Sequence, residues 1–177
     1  GAIARLTSSG SLVTSFEPKL SKVLGTVDYL PTVYCAALQP DSKIVIAGDF
    51  TALNAMSFKY LARVNSVGSL DTAFNPNPND LCYAITLQAD GKMLVAGDFT
   101  SIGGANRSYF ARLNTDGTLD STFNVSLDNY IQSVQTRVDG KIIIAGAFTN
   151  VNGTSRSRYA VLNNDGSLAD DYAALEA

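Results

Sequence analysis

The stretch that decides the fold is Lys92-Met-Leu-Val-Ala-Gly-Asp-Phe99, because the chain contains it three times. It occurs first as Lys43-Ile-Val-Ile-Ala-Gly-Asp-Phe50 and again as Lys141-Ile-Ile-Ile-Ala-Gly-Ala-Phe148, with a spacing of 49 residues both times. Repeats of 20–50 residues are typical of solenoids, propellers and other arrays. The sequence therefore predicts a fold built from copies of one unit.

A second block, Ala-Arg-Leu/Val, begins at Ala4, Ala62 and Ala111 and degenerates to Ala160-Val-Leu. Each copy is followed by a Gly-x-Leu turn and closed by an aromatic residue: Phe16, Phe74, Phe123 and Tyr172. The last three aromatic residues are 49 apart and the first gap is 58, so an insertion of nine residues lies within 19–32. We predict one repeat domain over 1–177, with a half unit at about 1–18 and units at about 33–76, 82–125 and 131–174.

The local signals within one unit are those of strands. The run Ile44-Val-Ile-Ala is apolar at successive positions, so both faces of this inner strand should be buried. Asp90-Gly91 favours a hairpin turn, and the Ala-Gly pair after the strand keeps side chains small where another backbone approaches. Four strands in 49 residues predict an all-β fold of β-propeller blades. A β-trefoil, which also has three units of four strands, is the alternative.

The combined pattern, most complete at Leu87 to Phe99 and Ala111 to Phe123, resembles the delta-60 repeat family of predicted β-propellers. The resemblance covers essentially the whole chain, with departures at Ser42, Arg137 and Ala147. That family occurs in bacterial surface or secreted proteins and in phage-associated proteins. The resemblance therefore implies a propeller and a location outside the cytoplasm, on a bacterial cell surface or a virion. It implies no active site.

The number of units predicts a partner surface. The chain holds about three and a half units, whereas propellers close with four to eight blades. Three blades leave two apolar blade faces open, and large exposed apolar patches are rare on monomers. We therefore expect either a longer repeat array or a homo-oligomer that completes the ring.

Composition excludes several function classes. The 177 residues include no histidine, which excludes a Ser-His-Asp triad, a Cys-His dyad and His-ligated metal. The net charge is −3, from 13 basic and 16 acidic residues, and the sequence shows no basic stripe that would bind nucleic acid. The sequence also contains no run of 18 apolar residues, so it predicts no membrane-spanning segment. Phosphate-binding glycine loops are also missing from the sequence. We predict no catalytic residue, no cofactor and no metal; a two-carboxylate glycosidase is the alternative.

Cys35 and Cys82 both lie in apolar strand-like stretches. A free buried cysteine in such a stretch acts as a small hydrophobic residue. The alternatives are a disulfide or a reactive thiol.

Three sets of charged residues recur at equivalent positions. Asp49 and Asp98 either form a ring of carboxylates for a cation or polar ligand, or accept backbone N–H bonds in the following turn. Because Lys and Arg recur in nearly every unit, we expect them to hold the blades, with each Arg reaching a carbonyl or carboxylate of its neighbour. These basic residues are Lys43, Lys92, Lys141, Arg5, Arg63 and Arg112.

The loop after Phe-Thr varies more between units, and loops on a rigid scaffold are where binding generally occurs. Arg, Asn and Tyr side chains can hold a sugar or an acidic group by hydrogen bonds and ring stacking. The alternative is a solvated loop whose Arg is bound to its own blade. The candidate ligand-binding residues are Tyr60, Asn106, Arg107, Tyr109, Arg156 and Arg158.

The insertion breaks the repeat once, near Tyr29 and Pro31, and is therefore a candidate partner contact. Together these observations predict a non-catalytic binding or adhesion module that recognises a glycan or a surface protein from a propeller scaffold. A structural module that assembles rings or fibres through its blade faces is one alternative. A glycosidase-like enzyme is the other.

Overall fold

The computed structural model describes residues 3–24 and 27–169, so the predicted aromatic residue Tyr172 and the end of the third unit lie outside the described residues. The described residues form strands, turns and loops, and the all-β prediction is confirmed. No helix among them is long and apolar enough to cross a membrane.

In chain order, the strands of the described residues are β1 (Leu20–Leu24), β2 (Val27–Tyr29), β3 (Thr32–Leu38), β4 (Ile44–Asp49), β5 (Ala52–Leu53), β6 (Met56–Ser57), β7 (Leu61–Val64), β8 (Cys82–Leu87), β9 (Met93–Gly97), β10 (Ser101–Ile102), β11 (Ala105–Asn106), β12 (Phe110–Leu113), β13 (Ile131–Thr136), β14 (Ile142–Gly146), β15 (Asn150–Val151), β16 (Thr154–Ser155) and β17 (Tyr159–Leu162).

Each complete unit forms its own antiparallel sheet of three long strands. The orders are β3-β4-β7, β8-β9-β12 and β13-β14-β17, so the repeated Lys-to-Phe stretch is always the middle strand. Within each unit, a small hairpin made of two two-residue strands joins the middle strand to the third strand. These hairpins are β5-β6, β10-β11 and β15-β16. Among the described residues, each three-stranded sheet contains long strands from one unit alone. In a β-trefoil, by contrast, strands from all three units form one common barrel. The sheets are therefore successive blades of an unclosed propeller.

The structure differs from the sequence prediction in one detail, because the fourth strand of each unit is reduced to a single β-bridge, as between Leu113 and Leu119. The prediction that the apolar run forms a strand buried on both faces is confirmed. This strand is the middle one of its sheet, with a partner strand along each edge. In β4, Val45, Ile46 and Ala47 are all fully buried.

The glycine at or near the end of each middle strand is required by a close approach of backbone. A Cβ at Gly97 would lie 2.0 Å from the carbonyl oxygen of Leu81, and one at Gly48 would lie 2.1 Å from that of Thr32. This crowding arises where the first strand is bulged, between Cys82 and Ala84 in the second unit. The prediction of small residues at this position is confirmed.

The core lies in the seams between blades. Three apolar clusters fill the seams between the half unit and unit one, between units one and two, and between units two and three. The repeated aromatic residues Phe16, Phe74 and Phe123 are buried there. The first strands also meet across the seams, since β8 contacts β3 on one side and β13 on the other.

The insertion forms the β1-β2 hairpin, and β1 pairs with β5, with Leu20 opposite Leu53. It is therefore attached to unit one at the end of the blade that carries the two-residue hairpins. We call this end of every blade the loop end. The opposite end, with the short turns at 39–42, 65–68, 88–91, 114–117, 137–140 and 163–166, is the turn end.

Candidate functional site

The turn end carries a repeated ionic contact that we call the arginine lock. In unit two, Arg112 Nε and Lys92 Nζ both donate to Asp120 Oδ2, at 2.9 and 2.8 Å, and Arg112 Nη1 donates to the Asn164 carbonyl of unit three at 2.5 Å. The prediction that each Arg contacts a carbonyl or carboxylate of the neighbouring blade is thus confirmed for unit two.

The same lock joins the earlier units. Arg63 Nε donates to Asp71 Oδ2 at 2.9 Å, and its Nη1 donates to the Thr115 carbonyl of unit two at 2.6 Å. Arg5 of the half unit donates to the Ser66 carbonyl of unit one at 2.6 Å. Unit three has Val161 at the arginine position, so the lock is not repeated there.

Each lock arginine in units one and two also lies over an aromatic ring, and the lock hydrogen bonds stabilise the ionised carboxylate in unit two. The Arg112 guanidinium lies 4.5 Å from the Phe123 ring centroid, and Arg63 lies equally close to Phe74. Burial alone raises the pKa of the Asp120 carboxyl, but the hydrogen bonds from Lys92, Thr122 and Arg112 together hold it well below its usual range. Every member of the lock is bound within the protein, so its role is structural.

The loop end carries a row of three tyrosines that the sequence analysis did not single out. The ring centroids of Tyr34 and Tyr83 are 5.7 Å apart, as are those of Tyr83 and Tyr130, with interplanar angles of 54° and 69°. Tyr34 is 45% exposed, and the other two rings are half-buried. The row crosses both seams between the complete blades and presents one continuous aromatic surface.

The carboxylates at the ends of the middle strands lie beside this row. The Tyr83 hydroxyl donates a short hydrogen bond to Asp98, and Lys22 of the insertion forms an equally short ion pair with Asp49. The sequence analysis gave backbone N–H groups of the following turn as one set of partners for Asp49 and Asp98. In the structure, their partners are the side chains of Lys22 and Tyr83 instead. Burial, followed by the bond to Asp98, raises the pKa of the Tyr83 hydroxyl well above its usual value.

A third carboxylate, Asp80, belongs to the same region, because it directly precedes Leu81, whose carbonyl accepts a hydrogen bond from the Asp98 N–H at 2.9 Å. After burial, its negative charge also contributes to the raised pKa of the Tyr60 hydroxyl. We call the whole group the tyrosine cluster. Its members are Tyr34, Tyr83, Tyr130, Asp49, Asp80, Asp98 and Lys22.

The predicted loop arginines lie away from this cluster, on the small hairpins. Arg107 Nη1 donates to the Asn106 carbonyl at 2.9 Å, and Nη2 approaches the Ser121 carbonyl at 3.5 Å. Arg156 Nη1 likewise donates to the Ser155 carbonyl at 2.9 Å. Both arginines therefore contact their own blade, and ligand binding by them and by the exposed Asn106 stays a prediction.

Tyr60, Tyr109 and Arg158 occupy one equivalent position, where the backbone is left-handed with φ of 64°, 70° and 67°. At each, the N–H donates to the carbonyl of the phenylalanine that follows the middle strand, which closes the hairpin loop. The Tyr60 side chain packs against the seam between units one and two, and the Tyr109 side chain packs against the seam between units two and three. The structure thus gives this position a folding role.

The insertion residues lie on the loop-end surface. Tyr29 is 50% exposed, and its ring centroid lies 5.6 Å from Lys22 Nζ. Pro31 is half-buried just before β3. A partner contact by these two residues stays a prediction.

Cys35 and Cys82 are both free and contribute to the seam between units one and two. Burial raises the pKa of the Cys35 thiol to about 11 and that of Cys82 well above its usual value. The interpretation as small apolar residues is confirmed. Across residues 3–24 and 27–169, no three Cys, Asp or Glu side chains form a group that could hold a metal ion.

The repeated blades and their lock match a known family model, the β-propeller domain of unknown function DUF5122, over residues 39–74, 88–123 and 139–168. The chain belongs to this family. The DUF5122 segments 39–74 and 88–123 include the arginine, lysine and aspartate of the locks in units one and two, whereas none of the three segments includes a tyrosine of the row. No curated protein matches the chain.

Proposed function

We propose that this chain is a non-catalytic binding module that recognises a glycan without acidic groups through its tyrosine cluster. The single observation that carries the proposal is the tyrosine row, which offers aromatic surface across three blades. The resemblance to delta-60 repeats supports placing the module outside the cytoplasm, on a bacterial cell surface or a virion.

The row suits a sugar because tyrosine combines an apolar ring face with a polar tip. The C–H groups of a pyranose can pack on the exposed face of Tyr34, while the phenol groups and nearby carboxylates exchange hydrogen bonds with the sugar hydroxyls. Asp98 is already oriented by the Tyr83 hydroxyl. A rigid blade end thus presents ring faces and acceptors together.

The charge of the cluster selects the kind of glycan. Asp49, Asp80 and Asp98 bring three carboxylates, and the Lys22 ammonium is bound to Asp49. This excess of negative charge repels sialylated, sulfated or phosphorylated sugars. Neutral and amino sugars are the expected ligands.

The same contacts favour binding over catalysis. Lys22 holds Asp49 in an ion pair, and the Tyr83 phenol is bound to Asp98. A catalytic carboxyl pair needs one group poised to give up a proton and another to receive one. Carboxylates held by permanent side-chain partners are better suited to orienting a ligand.

A glycan array with the purified chain tests the proposal, followed by titration of the best neutral glycan. We expect Tyr34→Ala to weaken binding about fivefold, because loss of one aromatic contact costs about 1 kcal/mol. Arg107→Ala is the matched control on the outer hairpin of unit two and should leave the affinity unchanged.

Three outcomes would contradict the proposal. They are a failure to bind any neutral or amino glycan, binding that survives both Tyr34→Ala and Tyr130→Ala, and binding that is lost in Arg107→Ala alone. The last would place the ligand on the predicted loop residues instead. Hydrolysis of a bound glycan that disappears in Asp98→Asn would show an enzyme rather than a binding module.

A further inference from the structure

The insertion supplies a lysine to a carboxylate that a tyrosine binds in the next blade. In unit two, the Tyr83 hydroxyl donates to Asp98 at the loop end of the blade. In unit one, the equivalent carboxylate is Asp49, and its partner is Lys22 of β1. The two blades therefore bind the same carboxylate with different side chains.

Tyr34 is the unit-one equivalent of Tyr83 in backbone position as well as in sequence. Each tyrosine is the extra residue of the bulge in its first strand, and each bulge lies beside the glycine that precedes the carboxylate. Unit one thus places Tyr34 next to Asp49 as unit two places Tyr83 next to Asp98. The Tyr34 hydroxyl nevertheless makes no hydrogen bond with residues 3–24 or 27–169, and Lys22 binds the carboxylate instead.

Lys22 is held on both sides by the backbone of unit one. The Thr51 N–H donates to the carbonyl of Ser21 at 2.9 Å, and the Val23 N–H donates to Thr51 Oγ1 at 2.8 Å. Thr51 lies two positions after the carboxylate, so both neighbours of the lysine are fixed close to it. The lysine ammonium also lies 5.6 Å from the Tyr29 ring centroid. The fold therefore positions this lysine, in addition to its ion pair.

We propose that Lys22 is a positioning residue which, by holding Asp49, keeps the Tyr34 hydroxyl free to donate a hydrogen bond to a glycan. This inference rests on the proposed function. A free phenol matters at this site because carboxylates only accept hydrogen bonds, and the Tyr83 proton is already donated to Asp98. Tyr34 then supplies a donor within a cluster that is rich in acceptors.

The free hydroxyl also narrows the class of glycan. Sugar hydroxyl groups can donate to the carboxylates of the cluster, whereas the amide carbonyl of an N-acetyl group accepts from a phenol. An N-acetylated sugar carries both kinds of group and has no acidic group that the carboxylates would repel. Among neutral ligands, N-acetylated sugars are accordingly the expected class.

Proton NMR of the full chain tests the position of the Tyr34 hydroxyl without any ligand. A phenol proton bound to a carboxylate exchanges slowly and gives a low-field signal, so Tyr83 should give one in the unchanged chain. Lys22→Met should add a second signal, because Tyr34 then donates to Asp49, and adding Tyr34→Phe should remove it. Two controls should add no signal. Lys22→Arg keeps a cation on the carboxylate, and Lys19→Met removes an exposed lysine from the same insertion.

Titration with tri-N-acetylchitotriose, a neutral N-acetylated trisaccharide, tests the role of the hydroxyl in binding. Lys22→Met and Tyr34→Phe should each weaken binding about fivefold, because each removes one hydrogen bond to the ligand. Their effects should not add, since both variants lose the same donor. Lys22→Arg and Lys19→Met should bind as the unchanged chain does.

Two results would overturn the inference. They are a Lys22→Met spectrum without the second signal, and effects of Lys22→Met and Tyr34→Phe on affinity that add. If the unchanged chain does not bind the trisaccharide while Lys22→Met still adds the signal, the placement of the hydroxyl is supported and the proposed function is contradicted. The two failures are therefore distinguishable.

Discussion

Aspartate and basic side chains occur at both ends of the blades, but their contacts differ. At the turn end they join neighbouring blades, and at the loop end they lie in the surface that we propose binds ligand. At the turn end, Arg, Lys and Asp recur with nearly identical distances in units one and two, and their contacts are all internal. At the loop end, the carboxylates change partner from blade to blade. Asp49 binds Lys22, Asp98 binds Tyr83, and unit three has Ala147 instead. Strict repetition accompanies the structural contact, and variation accompanies the surface that we propose binds ligand.

The largest expected effect is at the turn end. Arg112→Ala should lower the free energy of unfolding by about 2–4 kcal/mol, because it removes one donor to the buried Asp120 carboxylate together with the contacts to the Asn164 carbonyl and the Phe123 ring. Arg5→Ala is the control, since this exposed arginine makes the same carbonyl contact and should cost about 1 kcal/mol or less. Urea unfolding measures both, and equal losses would show that burial does not decide the strength of the lock.

The next effect is the acid sensitivity of the lock. The pKa of Asp120 is lower in the folded protein than in the unfolded chain, so its stabilisation is present above about pH 4 and is lost as the pH falls through the folded value. Asp71 behaves in the same sense, chiefly through its bond from Lys43. Unfolding measured against pH should therefore have a shallower slope below pH 4 in Asp120→Asn. Val138→Asn, which leaves every carboxylate in place, should keep the slope of the unchanged chain.

A smaller effect is expected at the loop end. Tyr83→Phe removes one hydrogen bond to a carboxylate at a partly exposed site, so the free energy of unfolding should fall by about 1 kcal/mol or less. In the unchanged chain, one tyrosine should ionise well above the ordinary range in a titration followed by ultraviolet absorbance. Asp98→Asn should lower that pKa without restoring it fully, since burial is the larger cause. A titration curve unchanged by both substitutions would contradict the assignment.

The smallest effect is expected in unit three. Ala147→Asp restores the carboxylate, but Gln132 stands where units one and two have Tyr34 and Tyr83. The substitution alone should change stability by no more than about 0.5 kcal/mol. Adding Gln132→Tyr should then make the double variant more stable than either single one. Additive effects would show that the tyrosine and the carboxylate do not interact across the bulge.

The blades were predictable because their signals are local and periodic. The apolar run from Ile44 to Ala47 indicated the doubly buried strand, and the recurrence of Arg63 and Arg112 indicated a structural contact. The reduction of the fourth strand to one bridge was not predictable from these signals. Leu70 and Leu119 carry the right pattern, but each makes only a single bridge.

The tyrosine cluster could not be found by periodicity alone. Tyr34 and Tyr83 are 49 residues apart, but Tyr130 follows Tyr83 by only 47, so a search in register finds Gln132 instead. A bulge in each first strand and the contact between neighbouring first strands bring the third ring into the row. Lys22 comes from the insertion, which has no equivalent in the other units. Contacts of this kind depend on packing between blades, and the sequence of one unit does not encode them.

The acceptor of the arginine lock has a consequence for how such arrays grow. Ser66, Thr115 and Asn164 have different side chains, yet each receives the preceding arginine on its main-chain carbonyl. Every residue possesses that carbonyl, so a newly duplicated 49-residue segment can join its predecessor without any matching mutation. Gene duplication and deletion can therefore change the number of blades in one step, and each copy is then free to diverge at its opposite end.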